Sequence, residues 1–262
     1  LRRAVEKSSN VATYRLYEEL GTRTCMKYLE ALNFKGLDKK DYKYNTTCLG
    51  GFTNGTTVVE MAAGYATIAN DGEYRTPDCI IKITDAKGND IVPEDTSTKS
   101  VYSSSASRMM TSVLQSCVTE YEGTAHVCQL DVDMPAACKT GTTNNYVDGW
   151  LCGYTPYYTT AVWVGMDVYK SVDNLKGNTY PASIWTNYMN KIHQGLPRKE
   201  FESYLGDTES TTEATTESTE DDTESTTEAT TEVIEDDDTT SNTTEADDSG
   251  NDSNNYYDQD DY

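Results

Sequence analysis

The chain has 262 residues and a formal net charge of −23, unevenly spread. Residues 207–262 hold 21 of the 44 Asp and Glu and no Lys or Arg, so the remaining 23 acids face all 21 bases. A near-neutral body with an acidic end lacks the electrostatic footprint of a nucleic-acid or anionic-membrane binder, and no apolar run approaches the ~20 residues of a bilayer span.

Leu1-Arg2-Arg3-Ala4-Val5-Glu6 reads as the middle of a helix and not as a signal sequence. The chain opens without Met, so any anchor or export signal is expected upstream of Leu1. Ala12, Leu16 and Leu20 predict a helix that stops at Gly21, and Cys25, Tyr28, Leu29 and Leu32 predict a second. Thr57 and Glu60 form a capping box ahead of Met61, Tyr65 and Ile68, and Asn70-Asp71-Gly72 closes that helix. A hairpin is expected from 79–84, through a turn at 87–90, to Ile91-Val92. Met110, Val113, Leu114, Cys117 and Tyr121 mark a longer amphipathic helix ending before Gly123.

Strand patterns follow at 136–142, 149–154 and 159–166, joined by Asn144-Asn145 and Thr155-Pro156. Such short connections imply an antiparallel meander. Pro181 opens a last helix bearing Ile184, Trp185, Tyr188, Met189 and Ile192, stopped by Gly195 and Pro197. Helices on both sides of an antiparallel sheet make an α+β domain over 1–203. Residues 204–262 read as a disordered acidic tail: 208–217 recur unchanged as 223–232, poor in apolar residues and dense in one charge.

The seven cysteines include no C-x-x-C pair, and only His126 and His193 could join them, so no zinc site is expected. They read as small buried hydrophobes, with Cys117 and Cys128 the first pair to examine for a disulfide. A Ser-His-Asp hydrolase would need a G-x-S-x-G elbow, which is lacking. Both histidines are expected at helix-end or loop surfaces. Three sequons, at Asn45, Asn54 and Asn242, carry no weight in a chain this rich in Asn and Thr.

Two motifs carry chemistry. Lys139-Thr140-Gly141-Thr142-Thr143 lies on the first strand of the meander, followed by Asp148-Gly149-Trp150 and then Val162-Trp163-Val164-Gly165. Ser8-Ser9-Asn10 opens the first full helix, either as a plain cap or as an S-x-N element, and the K-T-G downstream favours the latter. A site for a peptide ending in a carboxylate needs a cation and hydroxyl donors, which Lys139, Thr140 and Thr142 offer from one strand. Thr140 and Thr142 share strand parity and Lys139 opposes it, so Lys139 reaches the same cleft only by strand twist or by wrapping. Gly141 leaves the edge open to a substrate backbone. Cys138, before the lysine, is either a packing residue or a thiol near the cleft; packing is expected.

With Leu49-Gly50-Gly51-Phe52-Thr53-Asn54-Gly55 and Glu60-Met61-Ala62, these motifs resemble the C-terminal part of the transpeptidase domain of class A, bifunctional penicillin-binding proteins, from about Leu1 to Phe201. The resemblance implies a β-lactamase-like fold and D,D-transpeptidation of peptidoglycan stem peptides ending in D-Ala-D-Ala. It also implies acylation by β-lactams, no cofactor, and work at the extracytoplasmic face of a bacterial membrane with the anchor outside this chain. It gives Ser8 a proton relay to the leaving amine. Asn10 would hold the acylating lysine and the substrate amide, and the Thr142 N–H would donate to the oxyanion. The third family motif, S-x-x-K with the nucleophile, does not occur; Thr24-Cys25-Met26-Lys27 is the nearest pattern and lies after S-x-N. The nucleophile is therefore expected upstream of Leu1, and this chain alone is expected not to acylate. The rivals are a D,D-carboxypeptidase or β-lactamase with the same motifs, or a non-catalytic β-lactam sensor or wall scaffold.

Overall fold

A computed structural model describes residues 1–80, 82–92 and 96–204. The expected tail and the Asn242 sequon lie outside them, apart from Tyr204. In chain order the elements are α1 (Arg2–Glu6), α2 (Asn10–Leu20), α3 (Thr22–Ala31), α4 (Val58–Ala69), β1 (Glu73–Tyr74), β2 (Ile83–Thr84), β3 (Asp90–Val92), β4 (Lys99–Ser100), α5 (Ser104–Thr119), β5 (Ala137–Thr142), β6 (Asp148–Tyr154), β7 (Thr159–Gly165) and α6 (Tyr180–Ile192).

The helix boundaries follow local chemistry. Gly21, at φ +81°, ends α2 and begins α3. Thr57 and Glu60 complete the capping box of α4 from both sides, and the same Glu60 carboxylate accepts from Lys35 N at 2.6 Å, tying the helix to the preceding loop. Gly72 closes the turn after α4 with φ +92°, where a Cβ would lie 2.1 Å from the Tyr102 carbonyl oxygen. Only glycine fits there.

The central sheet is the predicted meander, order β5-β6-β7 and antiparallel throughout. Alternation along β5 sorts its side chains between two layers. Ala137 and its cross-strand partner Tyr154 meet Leu114 of α5 with Tyr65 and Ile68 of α4. Cys138 turns the other way, with Leu151, against Trp185 and Met189 of α6. Two polar groups in these layers find partners: Trp185 Nε1 donates to Thr160 O at 3.1 Å, and the Tyr154 and Thr111 hydroxyls are 2.8 Å apart.

Four expectations need correction. The hairpin is shorter than predicted, with Ile83–Thr84 paired to Asp90–Val92 and the described residues 79, 80 and 82 outside any strand. A second two-residue pair, β1 with β4, was not foreseen because two residues carry no alternation to read. No disulfide joins Cys117 to Cys128: all seven cysteines are free. The Cys117 thiol donates instead to Val113 O, and that of Cys128 faces Cys138. His193 is not at the surface but 1% exposed at the end of α6. Its Nδ1 donates to Met189 O and its Nε2 accepts from Thr155 Oγ1, both at 2.7 Å, so it clamps the β6–β7 turn to α6.

Candidate active site

α1 is held to α5 by polar contacts at both ends. Arg2 donates to Ser112 O at 2.6 Å and Ser112 Oγ at 2.9 Å. The nearly buried Glu6 is held below the usual carboxylate range by Ser116, and then by Arg3 against the opposing effect of burial. Thr124 N donates to Glu6 O at 3.0 Å. This docking fixes where the next residue points. Ser8 takes φ +52°, in the left-handed region that few non-glycine residues occupy. The chain then reverses into α2.

The two adjacent serines divide the roles that the sequence left open. Ser9 is the N-cap of α2, accepting from Ala12 N at 3.4 Å. Ser8 caps nothing. Its Oγ accepts a hydrogen bond from Lys139 Nζ at 2.8 Å across 131 residues of sequence. Asn10 opens α2, exposed, and no hydrogen bond among the described residues links it to Lys139.

Lys139 also donates to Thr140 O at 3.0 Å. Its Nζ thus reaches the strand edge from the face that Lys139 shares with Ala137, where it also lines the groove with Tyr65 and Leu114. Burial lowers its pKa from the ordinary 10.5, with the nearby Cys117 thiol working weakly in the other direction.

β5 pairs on one side only, with β6. Thr143 N donates to Asp148 O at 3.0 Å, toward that partner. Backbone groups alternate in direction along a strand, so the N–H of Thr142 points to the open edge, as does the Thr140 carbonyl that Lys139 reaches. Among the described residues no strand covers this edge, so the N–H beside the lysine is able to donate to a developing oxyanion.

Gly141 sits opposite Trp150, and a Cβ there would lie 3.2 Å from the Trp150 Cβ. The glycine is thus explained first by a crowded cross-strand pair. The Thr142 hydroxyl is already engaged, accepting from Gly177 N at 3.0 Å. Sequence reasoning missed that loop; Lys176-Gly177-Asn178 offered only a turn signal. Cys138 is fully buried, and burial first, then the Cys128 thiol, raises its pKa, so it packs and does not face the cleft.

An apolar cavity of ≈ 610 Å³ opens beside Lys139, lined among others by Leu16, Met26, Leu29, Met61, Tyr65 and Leu114. It is bounded by α2, α3, α4 and α5, with Lys139 as the cation in its wall. Neither histidine bonds a serine among the described residues: His126 contacts Val118 O and Gln129 Nε2. No group of three or more metal-ligating side chains occurs among the described residues, and no described helix is long and apolar enough to cross a membrane.

Comparison with known proteins places this arrangement. The "Penicillin binding protein transpeptidase domain" family matches residues 1–194. Penicillin-binding protein 1A of Clostridium botulinum is 32% identical over 203 residues, 77% of this chain and 24% of that protein. Penicillin-binding protein 4 of Bacillus subtilis is 33% identical over 182 residues, 70% of this chain and 28% of that protein. The chain therefore spans about a quarter of the length of these relatives. Among solved structures, penicillin-binding protein PonA1 of Mycobacterium tuberculosis superposes with a TM-score of 0.67 at 25% identity, over 77% of this chain and 58% of that one. PonA1 has also been solved in complex with penicillin V. The matched stretch contains α1 through α6, both motifs and the Lys139–Ser8 contact, and on this ground the chain belongs to the penicillin-binding protein transpeptidase family.

Proposed function

We propose that this chain is the C-terminal part of a peptidoglycan D,D-transpeptidase. Its parent would be a class A protein that also carries a glycosyltransferase domain and acts, membrane-anchored, at the extracytoplasmic face. The observation that carries the reading is the 2.8 Å contact between Lys139 Nζ and Ser8 Oγ at the open edge of β5. It joins two motifs 131 residues apart beside an edge N–H that the carbonyl oxygen of an acyl donor can reach.

A serine from an S-x-x-K element upstream of Leu1 attacks the carbonyl carbon of the penultimate D-Ala, and its proton passes to the lysine of that element. The oxygen of the resulting tetrahedral intermediate takes the Thr142 N–H. Collapse forms the seryl ester and breaks the peptide bond, and the departing D-Ala nitrogen receives a proton through Ser8 Oγ. Lys139 donates to that oxygen and so leaves the Ser8 proton free to move. The amine of a neighbouring stem then attacks the ester, forming the cross-link and returning a proton to the serine. Lys139, Thr140 and Thr142 hold the terminal carboxylate, Gly141 keeps the backbone close, and Asn10 holds the acylating lysine and the substrate amide. A β-lactam enters as a donor mimic and remains on the serine. The step uses no metal or organic cofactor.

The test is labelling with a fluorescent penicillin under native conditions. Residues 1–262 are expected to remain unlabelled, and the complete parent protein to be labelled. Native labelling of residues 1–262 that is lost on denaturation would overturn the placement of the nucleophile.

A further inference from the structure

Gly177 belongs to none of the motifs, yet its N–H is the group that holds the Thr142 hydroxyl, at 3.0 Å and across 35 residues. Its position allows no other residue. A Cβ on Gly177 would lie 2.5 Å from Trp150 O, 2.7 Å from Gly141 O and 2.9 Å from Gly141 N. The loop thus lies backbone to backbone over the Gly141–Trp150 pair, on the face to which Thr142 turns. It is fastened on both sides of the glycine. Val172 N donates to Tyr146 O at 3.0 Å, Leu175 is fully buried, and Lys176 N donates to Thr179 Oγ1 at 2.9 Å.

A threonine hydroxyl has one proton and two lone pairs. With one lone pair taken by Gly177, the hydroxyl is held in one rotamer, and its own proton is left for a ligand. An accepted hydrogen bond also polarises the O–H into a better donor. We propose that Gly177 is a positioning residue for the carboxylate subsite, its N–H fixing the Thr142 hydroxyl to donate to the ligand's carboxylate. The proposal rests on the acyl-transfer reading above and adds to it a residue outside the three motifs.

The test uses the complete parent protein and two ligands, benzylpenicillin and its methyl ester, which lacks the charged carboxylate. Gly177→Ala is expected to slow acylation by benzylpenicillin on the order of tenfold, the size of one hydrogen bond to a charged group, and to slow the ester far less. In a Thr142→Val background, Gly177→Ala should add nothing, whereas Thr142→Ser, which keeps the hydroxyl, should retain most of the wild-type rate. A purely structural role would instead slow acid and ester alike and add in full to Thr142→Val. Either that pattern or an unchanged Gly177→Ala rate overturns the proposal.

Should Gly177→Ala fail to fold, amide exchange of Gly177 reads the contact on an intact backbone. Protection should be lost in Thr142→Val and kept in Thr142→Ser; equal protection in both overturns the proposal. Wild-type protein that neither ligand acylates overturns the acyl-transfer reading itself, and is distinct from an acylated protein indifferent to Gly177.

Discussion

At φ +52° Ser8 bears a backbone strain that its neighbour Ser9, at φ −74°, does not. The left-handed conformation costs about 1–2 kcal/mol for a residue with a Cβ, and such strain collects where geometry serves a site. Here it turns Oγ toward Lys139 while Ser9 caps α2. Replacing Ser8 by Gly relieves the strain and replacing it by Ala keeps it, yet both remove the hydroxyl. Ser8→Gly should therefore be the more stable of the two by roughly 1 kcal/mol, reduced somewhat by glycine's freer unfolded chain. Both should acylate poorly in the parent protein. Urea unfolding decides the matter, and a more stable Ser8→Ala would mean that the left-handed turn is not what solution holds. The spacing of the motif named Ser8 over Ser9; what it could not show is the positive φ that aims Ser8 at a lysine 131 positions away.

Among the elements, the segment between α3 and α4 gathers around the Asp41 side chain. Asp41 is 1% exposed and accepts from Asp38 N at 2.9 Å, Thr53 N at 2.8 Å and Thr53 Oγ1 at 2.6 Å, while Thr47 Oγ1 donates to its carbonyl. Burial is the largest single effect and pushes its carboxyl up. The hydrogen bonds from Asp38 and Thr53 together outweigh it and hold the pKa below the ordinary 3.8. A depressed carboxylate pKa contributes stability above the unfolded value and loses it as pH falls through the folded one. Asp41→Asn presents an N–H₂ to donors, so it should cost about 1–3 kcal/mol at neutral pH. It should also flatten the loss of stability below pH 3.8. Urea midpoints measured across that range for both proteins check this, and parallel curves would remove Asp41 from the account. No periodicity announced this residue. Sequence reasoning found the elements that bury a face, the α4 capping box and the meander above all, because burial imposes a period. It missed β1 and β4 and overextended the hairpin, where two-residue pairings depend on partners elsewhere in the fold.

For the whole molecule, the unusual feature is the apolar cavity of ≈ 610 Å³ beside Lys139. It is open to solvent, so its apolar lining stays in contact with water. Its walls come from α2, α3, α4 and α5, and on the proposed function a segment bearing the nucleophile would cover them. The side of the cavity nearest the chemistry is Lys139, which is where a seryl oxygen would have to arrive. This makes a prediction that does not depend on catalysis. Residues 1–262 should bind an apolar dye such as anilinonaphthalene sulfonate strongly, because exposed apolar surface is what such dyes report. The parent protein should bind it weakly, since a segment packed on the groove covers that lining. Deleting 207–262 removes 21 acids and no bases, which changes the protein's migration in an electric field. It should leave dye binding and acylation by the parent as they were, since neither motif and none of the lining residues among the described ones lies there. Equal dye binding by the fragment and the parent would mean that nothing upstream fills the cavity, and the nucleophile would then have to be sought elsewhere in the fold.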